Sequence, residues 1–296
     1  MTNQKNITVF ASLMAIVVAL CWGFNFAASK FSLLHFPPFF VIFIRYVLVT
    51  LLLLPFARKS KFSFKQLFIL SLLMITIHFT FVFSAIAMGL ELSTTVIVIQ
   101  MGAPFSCVLG AIFLKDMLGP WRTTGMAIAF MGVVVIAGTP AVGSNWIAFV
   151  LAIIGAMAWA GSNVYMKVLG QESIMPLLFW TGLLSLPQTL LVSLILEDNH
   201  IDLLLNVPTN AAVAILYSAI ASTIIGYGLW YWLLKNFSVS QVTPYSLLTP
   251  IGGILSGVIF FQETLTNQMM VGGFITICGV AIITLRRPRL ARLDRG

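Results

Sequence analysis

Charged residues are scarce in this sequence. Asp, Glu, Lys and Arg make up 8% of its 296 residues, whereas hydrophobic residues make up 60%. Soluble globular domains carry roughly 25% charged residues, so the deficit excludes a water-soluble globule. Inside a bilayer the backbone must satisfy its own hydrogen bonds, and a helix does so within one segment. The composition therefore predicts an all-α polytopic membrane protein.

Cysteine and histidine are also few, with three of each. The cysteines lie far apart within apolar runs, a pattern typical of small packing residues and unlike a disulfide framework or a thiolate metal site. The histidines are scattered, and there is no nucleotide-binding loop. We therefore expect no cofactor, no metal and no catalytic residues. The first apolar run has no small-residue cleavage site, so we predict that it is retained as the first span.

Long apolar runs fill the chain instead. A helix needs about 20 apolar residues to cross the hydrocarbon core, and ten runs approach that length. They cover residues 9–30, 38–56, 66–89, 92–114, 121–138, 145–166, 174–196, 209–234, 240–261 and 267–285. Short connections separate them, as in a compact bundle. The sequence predicts ten transmembrane helices in contact with the lipid bilayer.

The basic residues predict how these helices are oriented. With the N-terminus inside the cell, fourteen of the sixteen Lys and Arg residues fall on the cytoplasmic side. The exceptions are Lys30, on the outside, and Arg45, within a span. Cytoplasmic loops are enriched in Lys and Arg, so the net charge of +8 reflects topology and we expect no nucleic acid partner. The prediction is N-in and C-in, with a basic cytoplasmic tail at 286–296.

Parts of the chain recur. Trp22 and Lys30 return 137 residues later as Trp159 and Lys167. A second register, of 147 residues, joins Gly110/Gly257, Phe113/Phe260, Asp116/Glu263, Leu118/Leu265, Gly125/Gly272, Gly132/Gly279, Val133/Val280 and Ile136/Ile283. The chain thus divides into two five-helix halves, 1–139 and 140–296. Because five is odd, the second half enters the membrane from the opposite face. This predicts an inverted repeat, the architecture of many alternating-access transporters.

Arg45, in the second helix, is the most costly residue of the predicted spans. Arginine at a helix centre costs about 2.5–3.5 kcal/mol on the insertion scale. One interpretation is an anchor for a substrate carboxylate, because a guanidinium offers two parallel hydrogen bonds. The other is a structural clamp on backbone carbonyls that are freed at a helix break. The sequence leaves both open.

His78, in the third helix, also has two interpretations. Imidazole titrates near physiological pH, so His78 is the candidate for proton coupling. Alternatively, it is a neutral side chain bonded to a neighbouring helix. No Asp or Glu lies near the middle of a predicted span, which gives little support to carboxylate-based coupling and leaves simple facilitated diffusion open.

Other polar and aromatic residues lie at helical spacing along the predicted spans. With Arg45 and His78, the candidate substrate-binding residues are Trp22, Asn25, Gln100, Trp159, Asn163, Tyr227, Trp230, Tyr245 and Ser246. Aromatic stripes also serve helix packing or the interfacial belt. Proline removes a backbone donor and kinks a helix, so the candidate hinge residues are Pro104, Pro244, Pro250, Gly252 and Gly253.

Several motifs together suggest a family. They are Trp22-Gly23-x-Asn25-Phe26 with Lys30, Pro37-Pro38…Arg45-Tyr46, Gln100, Trp159-Ala160-x-x-Asn163, Gly226-Tyr227-Gly228-x-Trp230, Pro244-x-Ser246-Leu247-Leu248-x-Pro250 and Glu263. From about residue 10 to residue 285 the chain resembles the EamA family of the drug/metabolite transporter superfamily. It looks most like amino-acid and metabolite exporters of the O-acetylserine/cysteine type. The resemblance implies a bacterial inner-membrane protein whose central cavity lies between helices 1, 3, 4, 6, 8 and 9.

The favoured function is a secondary exporter of amino acids or related small zwitterions that works by alternating access. The alternatives are a multidrug or sugar-nucleotide-type carrier and, in another class, a membrane-embedded enzyme. A sugar nucleotide requires several basic residues in the cavity, and a lipophilic cation requires a buried carboxylate. An enzyme requires a cluster of catalytic residues. The sequence leaves monomer and homodimer open.

Overall fold

The computed structural model describes residues 7–116, 118–170 and 172–285. Within them, ten helices are long and apolar enough to cross a membrane. They are α1 (Val9–Leu33), α2 (Pro38–Phe56), α3 (Phe64–Ala87), α4 (Leu92–Leu114), α5 (Pro120–Ala137), α6 (Trp146–Leu169), α7 (Ile174–Leu196), α8 (Thr209–Asn236), α9 (Thr243–Phe261) and α10 (Asn267–Leu285). The prediction of ten spans is confirmed.

The helix ends follow local chemistry. The Thr8 hydroxyl accepts a hydrogen bond from the Ala11 amide at 3.2 Å and so caps α1. Ser63 and Gln66 form a capping box at the start of α3. Proline occupies the first turn of α2 and α5, where its missing N–H costs nothing. The observed ends lie within a few residues of the predicted ones.

The chain alternates in direction, so the ends of its helices form two opposite faces. We call these the Lys30 face, at the end of α1, and the Lys167 face, at the end of α6. Lys5 and the basic tail 286–296, on which the predicted orientation partly rests, lie outside the described residues. N-in and C-in stays a prediction.

Two helices are broken in the middle, α4 and α9. In α4 the helix is interrupted at Gln100 and Met101 and resumes at Gly102. In α9 a 3₁₀ segment, Thr243–Leu247, precedes an α-helical segment, Leu248–Phe261. Pro104 and Pro250 each stand third in the resumed segment, and a proline there supplies no N–H to the carbonyl four residues earlier. The two breaks therefore have the same cause.

Two other helices, α3 and α8, widen into π-helical segments, at Leu72–Ile77 and Ser218–Ile225. A π segment shifts the register of side chains along a helix and often marks a functional position. His78 follows the first segment directly, and Ser222 and Thr223 lie in the second. Each π segment therefore contains or adjoins a buried polar residue.

Helices α5 and α10 cross closely through glycines. A Cβ added to Gly125 would lie 2.8 Å from the Gly279 carbonyl oxygen. A Cβ added to Gly272 would lie 2.8 Å from the Gly132 carbonyl oxygen. Residues 125 and 272 are 147 apart, as are residues 132 and 279. The two close contacts, Gly125 with Gly279 and Gly272 with Gly132, are thus related by the 147-residue offset found in the sequence.

The helix ends repeat in the same register. Lys115 and Gln262, also 147 residues apart, both have left-handed backbone conformations that end α4 and α9, with φ of 55° and 52°. The α7–α8 connection contains the short helix His200–Leu205.

Candidate functional site

A cavity of about 160 Å³ lies at the centre of the bundle. Helices α1, α2, α3, α4, α6, α8 and α9 contribute to its wall. Its lining residues are Trp22, Asn25, Phe26, Ser29, Arg45, His78, Phe79, Val82, Phe83, Ile99, Gln100, Trp159, Ser222, Tyr227 and Thr249. Seven of the eleven predicted binding residues are among them. Gln100 comes from the break in α4, so the irregular backbone adjoins the cavity, as expected for non-helical backbone at membrane depth.

Among the described residues, Arg45 is the only charged side chain that lines this cavity, and it is 2% exposed. One terminal nitrogen, Nη2, donates to Thr223 Oγ1 at 2.7 Å. The guanidinium carbon lies 4.8 Å from the centre of the Phe79 ring, a cation–π contact. Nε and Nη1 have no hydrogen-bond partner among the described residues. A buried cation with two unused donors is arranged to receive an anionic group.

His78 contacts the neighbouring helix α6. Its Nδ1 lies 2.8 Å from the Gly155 carbonyl oxygen. A carbonyl only accepts, so Nδ1 carries the proton and the neutral ring keeps Nε2 as an acceptor. The imidazole ring also packs against Trp159, with centroids 5.1 Å apart. This geometry corresponds to the hydrogen-bonded neutral histidine of the second interpretation, and coupling to protons stays a prediction.

Aromatic rings of α1 and α8 cluster beside the cavity. The Trp22 ring lies 5.3 Å from Tyr227 and 5.2 Å from Trp230, centroid to centroid. Trp22 Nε1 donates to the Ser222 carbonyl oxygen at 3.0 Å, which fixes the indole against the π segment of α8. The Trp22 face is therefore held in one orientation beside the cavity.

Two neutral polar atoms in the wall have no partner among the described residues. They are Asn25 Oδ1, on α1, and Thr249 Oγ1, on α9. Asn25 is 8% exposed, so its carbonyl oxygen has little access to solvent. An unsatisfied acceptor in a buried site costs free energy until a ligand or water donates to it. The cavity thus offers a cation and separate neutral acceptors.

Comparison with known proteins identifies the family. The sequence profile of the EamA-like transporter family matches residues 9–138 and 146–285. The chain belongs to the EamA-like transporter family. A protein of Salmonella typhimurium (strain LT2) named "Probable amino-acid metabolite efflux pump" is 31% identical over 291 residues, 95% of this chain and 97% of that protein. A protein of Escherichia coli (strain K12) with the same name is 29% identical over 278 residues, 91% and 93% of the two chains.

Two further comparisons are more distant. The uncharacterized inner membrane transporter YedA of E. coli (strain K12) is 22% identical over 294 residues, 96% of this chain and 93% of YedA. A solved crystal structure, 16% identical in sequence, matches 94% of this chain and 98% of its own chain with a TM-score of 0.64. That likeness concerns the fold alone. The family resemblance and the ten-helix fold predicted from the sequence are confirmed.

Four predicted binding residues of this EamA-like chain lie away from the central cavity. Asn163 is exposed, towards the Lys167 face. Trp230 packs behind Trp22. The Tyr245 hydroxyl donates to Ser12 Oγ at 2.7 Å, and the Ser246 hydroxyl donates to the Thr243 carbonyl oxygen at 2.8 Å. Asn163 follows Trp159 as Asn25 follows Trp22 in the sequence, but only Asn25 lines the cavity.

The cavity also includes residues that the sequence did not single out, above all Phe79 and Phe83. Their spacing of four residues on α3 is a helical signal, and the two rings lie 5.5 Å apart. Such pairs are common in any apolar helix, so the spacing alone gave no reason to select them. What distinguishes Phe79 is its cation–π contact with Arg45, which the sequence alone does not reveal.

The candidate hinge residues of this EamA-like chain lie at close crossings or breaks. A Cβ on Gly23 would lie 2.7 Å from Gly252 Cα, so α1 and α9 touch there through glycine backbones. A Cβ on Gly253 would lie 2.6 Å from Val96 Cγ2 on α4. Pro104 and Pro250 follow the two breaks, and Pro244 stands in the 3₁₀ segment of α9. Bending at these positions stays a prediction.

A carboxylate clamps three helices at the Lys30 face. Glu263, just after α9, accepts from the Leu92 amide at 2.7 Å and the Ser93 amide at 2.9 Å, at the start of α4. It also accepts from the Ser93 hydroxyl at 2.7 Å and from Lys30 Nζ, near the end of α1, at 3.1 Å. Burial acts to raise the pKa of this carboxyl, but these hydrogen bonds outweigh it and lower the pKa below its usual value.

The Lys167 face carries a weaker contact. Lys167 Nζ lies 2.5 Å from Asp116 Oδ2, and both side chains are substantially exposed, by 60% and 40%. In the Lys30–Glu263 pair the corresponding values are 23% and 5%. Exposed pairs contribute little because solvent screens them. The pair at the Lys30 face is therefore the better shielded of the two.

A larger hollow, about 750 Å³, opens on the flank of the bundle between α1, α8 and α9. Its wall is almost entirely apolar, with Phe24, Phe31, Val213 and Phe260 among the lining residues. No charged residue of the described part of the chain lines it. The smaller central cavity, with Arg45, is the candidate substrate site.

Proposed function

We propose that this EamA-like protein is a secondary exporter of amino acids or related small zwitterionic metabolites across the bacterial inner membrane. Its two relatives named "Probable amino-acid metabolite efflux pump" align over nearly their whole length, and YedA is named as an inner membrane transporter. The observation that carries the proposal is the state of Arg45 in the central cavity, buried and with two unused donors.

The carboxylate of the substrate binds Arg45. In a planar guanidinium, one N–H of Nη2 is parallel to that of Nε and the other pairs with an N–H of Nη1, and either pair matches the two oxygens of a carboxylate. Nε and Nη1 lack partners among the described residues. Thr223 accepts from only one N–H of Nη2, so the other N–H of Nη2 completes a fork with Nε or with Nη1, and the bond to Thr223 orients the guanidinium before the substrate arrives. The alternative role, a clamp on freed carbonyls, has less support because the partner that Arg45 has is a hydroxyl.

The ammonium group of the substrate binds neutral acceptors and aromatic faces. Among the described residues no carboxylate lines the cavity. Asn25 Oδ1 and Thr249 Oγ1 are unpaired acceptors there, and the indole rings of Trp22 and Trp159 offer cation–π contacts. A net neutral zwitterion is favoured, because one cation in the wall compensates one anion of the ligand.

The size of the cavity favours small ligands. Its volume is about 160 Å³, whereas sites for drug-sized ligands measure about 300–1,000 Å³. A sugar nucleotide or a large drug does not fit this closed state, and a sugar nucleotide also requires more than one cation. Both alternative cargoes therefore have less support than an amino acid.

Two inverted halves, 1–139 and 140–296, move against each other in this proposal. Support comes from contacts that recur in the 147-residue register, at the α5–α10 glycines and at the left-handed residues Lys115 and Gln262. The ion pairs join corresponding residues at opposite faces, Lys30 with Glu263 and Lys167 with Asp116. Alternating access follows if one pair opens while the other holds.

Transport in liposomes tests the function. We expect uptake of labelled amino acids into vesicles that contain the purified protein, measured with and without an imposed pH gradient. Arg45→Lys keeps the charge but loses the fork, so we expect about 10-fold to 100-fold weaker apparent affinity from the loss of one charged hydrogen bond of about 1.5–3 kcal/mol. Arg58→Lys, at an exposed arginine, is the matched control. Unchanged affinity in Arg45→Lys, at normal abundance and melting temperature, contradicts the proposed carboxylate site.

A further inference from the structure

A second polar pocket, of about 440 Å³, lies at the Lys30 face between the α3–α4 turn and the α5–α6 connection. Its wall is formed by Met88, Gly89, Leu90, Glu91, Thr94, Ser144 and Asn145. None of these residues lines the central cavity. The pocket is therefore separate from the central cavity.

Glu91 stands directly before α4 and makes no capping hydrogen bond. An acid at that position ordinarily interacts with the first amides of the helix. Here Glu263 accepts from those amides, Leu92 N and Ser93 N. Glu91 Oε2 is shielded from solvent and has no hydrogen-bond partner among the described residues. The Glu91 carboxylate is thus left without a structural role at the helix start.

Thr94 supplies a second unused polar atom in the same wall. The residue is 1% exposed, and its Oγ1 has no partner among the described residues. The next residue, Thr95, is equally buried, but its hydroxyl donates to the Glu91 carbonyl oxygen at 2.8 Å. The Thr94 hydroxyl has no corresponding hydrogen bond to its own helix, so it requires another partner. A buried hydroxyl without one is costly.

The charge balance of the pocket favours a cation. Burial raises the pKa of the Glu91 carboxyl, and the Glu263 carboxylate raises it further, against the opposing effect of the Lys30 ammonium. The Lys30 ammonium therefore does not fully compensate the negative charge of the Glu91 carboxylate. The residue 147 positions later is Ser238, which bonds Gln241 at the start of another helix. The helix that follows Ser238 therefore begins without an acidic residue at the position that corresponds to Glu91.

We propose that this pocket binds the primary ammonium group of a small amine. One N–H donates to Glu91 Oε2 and a second donates to Thr94 Oγ1, and both acceptors are unpaired without the ligand. The Asn145 amide, which donates to the Met88 carbonyl oxygen at 2.6 Å, holds the opposite wall against the α3–α4 turn. The proposal does not depend on the substrate of the central cavity.

Binding of labelled methylammonium to the purified full-length protein at pH 8 is the test. We expect saturable binding that is at least 10-fold weaker in Glu91→Gln and in Thr94→Val. Thr94→Val removes only an unpartnered hydroxyl, so its melting temperature without amine should equal or exceed that of the unmodified protein. Asp202→Asn, at an exposed acid of the same face, is the matched control and should bind normally.

Competition separates hydrogen bonding from charge alone. Tetramethylammonium has the charge but no N–H, so we expect it to compete at least 10-fold less well than methylammonium. Binding should weaken as the pH falls, because a proton on Glu91 replaces the ligand. Arg45→Lys should bind methylammonium normally even where it transports amino acids poorly, which separates this site from the proposed transport function. Absence of saturable binding, normal binding in both pocket variants, or equal competition by tetramethylammonium overturns the proposal.

Discussion

Glu263→Gln is expected to loosen the closure of the Lys30 face selectively. The carboxylate accepts two hydrogen bonds on each oxygen, from Lys30 and Leu92 on Oε1 and from Ser93 twice on Oε2. Glutamine keeps one acceptor oxygen and turns the other into a donor, so two bonds are lost. At about 1.5 kcal/mol for each hydrogen bond to a charged group, the loss is about 3 kcal/mol, on the order of 100-fold in the closing equilibrium.

Asp116→Asn is the matched control at the Lys167 face. The Asp116–Lys167 pair is exposed, and exposed pairs contribute about 0.2–1 kcal/mol. The corresponding change is less than about 5-fold. The two substitutions remove the same charge from positions 147 residues apart, so their difference reports burial and hydrogen bonding.

Labelling from one side of the membrane measures the closure. In a background with the three native cysteines replaced by alanine, Ser29→Cys adds a thiol in the cavity wall near Lys30. We expect a membrane-impermeant maleimide, added at the Lys30 face, to react at least 10-fold faster in Glu263→Gln and within about 5-fold of the background in Asp116→Asn. Equal rates in the two variants refute the reasoning.

The pH dependence of the closure follows from the same carboxyl. The pKa of Glu263 is lowered on folding, so its stabilising contribution is complete above its ordinary value of 4.5 and is lost only as the pH falls through the lowered value. Labelling at the Lys30 face should therefore be constant between about pH 6 and pH 8. A several-fold rise in the rate over that range would assign the closure to another group.

Three further predictions concern stability. Gly125→Ala should destabilise the protein by about 1–3 kcal/mol, because the added Cβ would lie 2.8 Å from the Gly279 carbonyl oxygen. Gly119→Ala is the control, because a Cβ there meets nothing within 4 Å. Equal melting temperatures of the two variants contradict this prediction. Thr76→Val removes a 2.6 Å hydrogen bond to Gln188 and should cost about 1–3 kcal/mol, measured by thermal unfolding in detergent. Glu91→Gln should raise the melting temperature at pH 7.5, because the raised pKa of Glu91 makes ionisation destabilising above its ordinary value of 4.5. This gain should vanish in acid, and a loss of stability at pH 7.5 contradicts the assignment.

The sequence determined the spans and identified seven of the fifteen described residues that line the cavity. Ten helices follow from hydrophobic length, because a bilayer requires a fixed number of apolar residues. The breaks near Gln100 and Ser246 follow from Pro104 and Pro250, because the missing N–H acts on the local chain. Arg45 and His78 were identifiable because polar residues are costly in lipid and therefore conspicuous.

Tertiary structure alone decided which polar residues meet. Asn25 reaches the cavity and Asn163 does not, although both follow a tryptophan on equivalent helices. Depth and rotation of a helix depend on packing with its neighbours, and the helix's own sequence does not fix them. The same holds for Glu263, whose proximity to Ser93 and Lys30 joins three helices that are distant in sequence. Hydrophobicity assigns a segment to the membrane, but the contacts between segments determine what each polar atom is paired with.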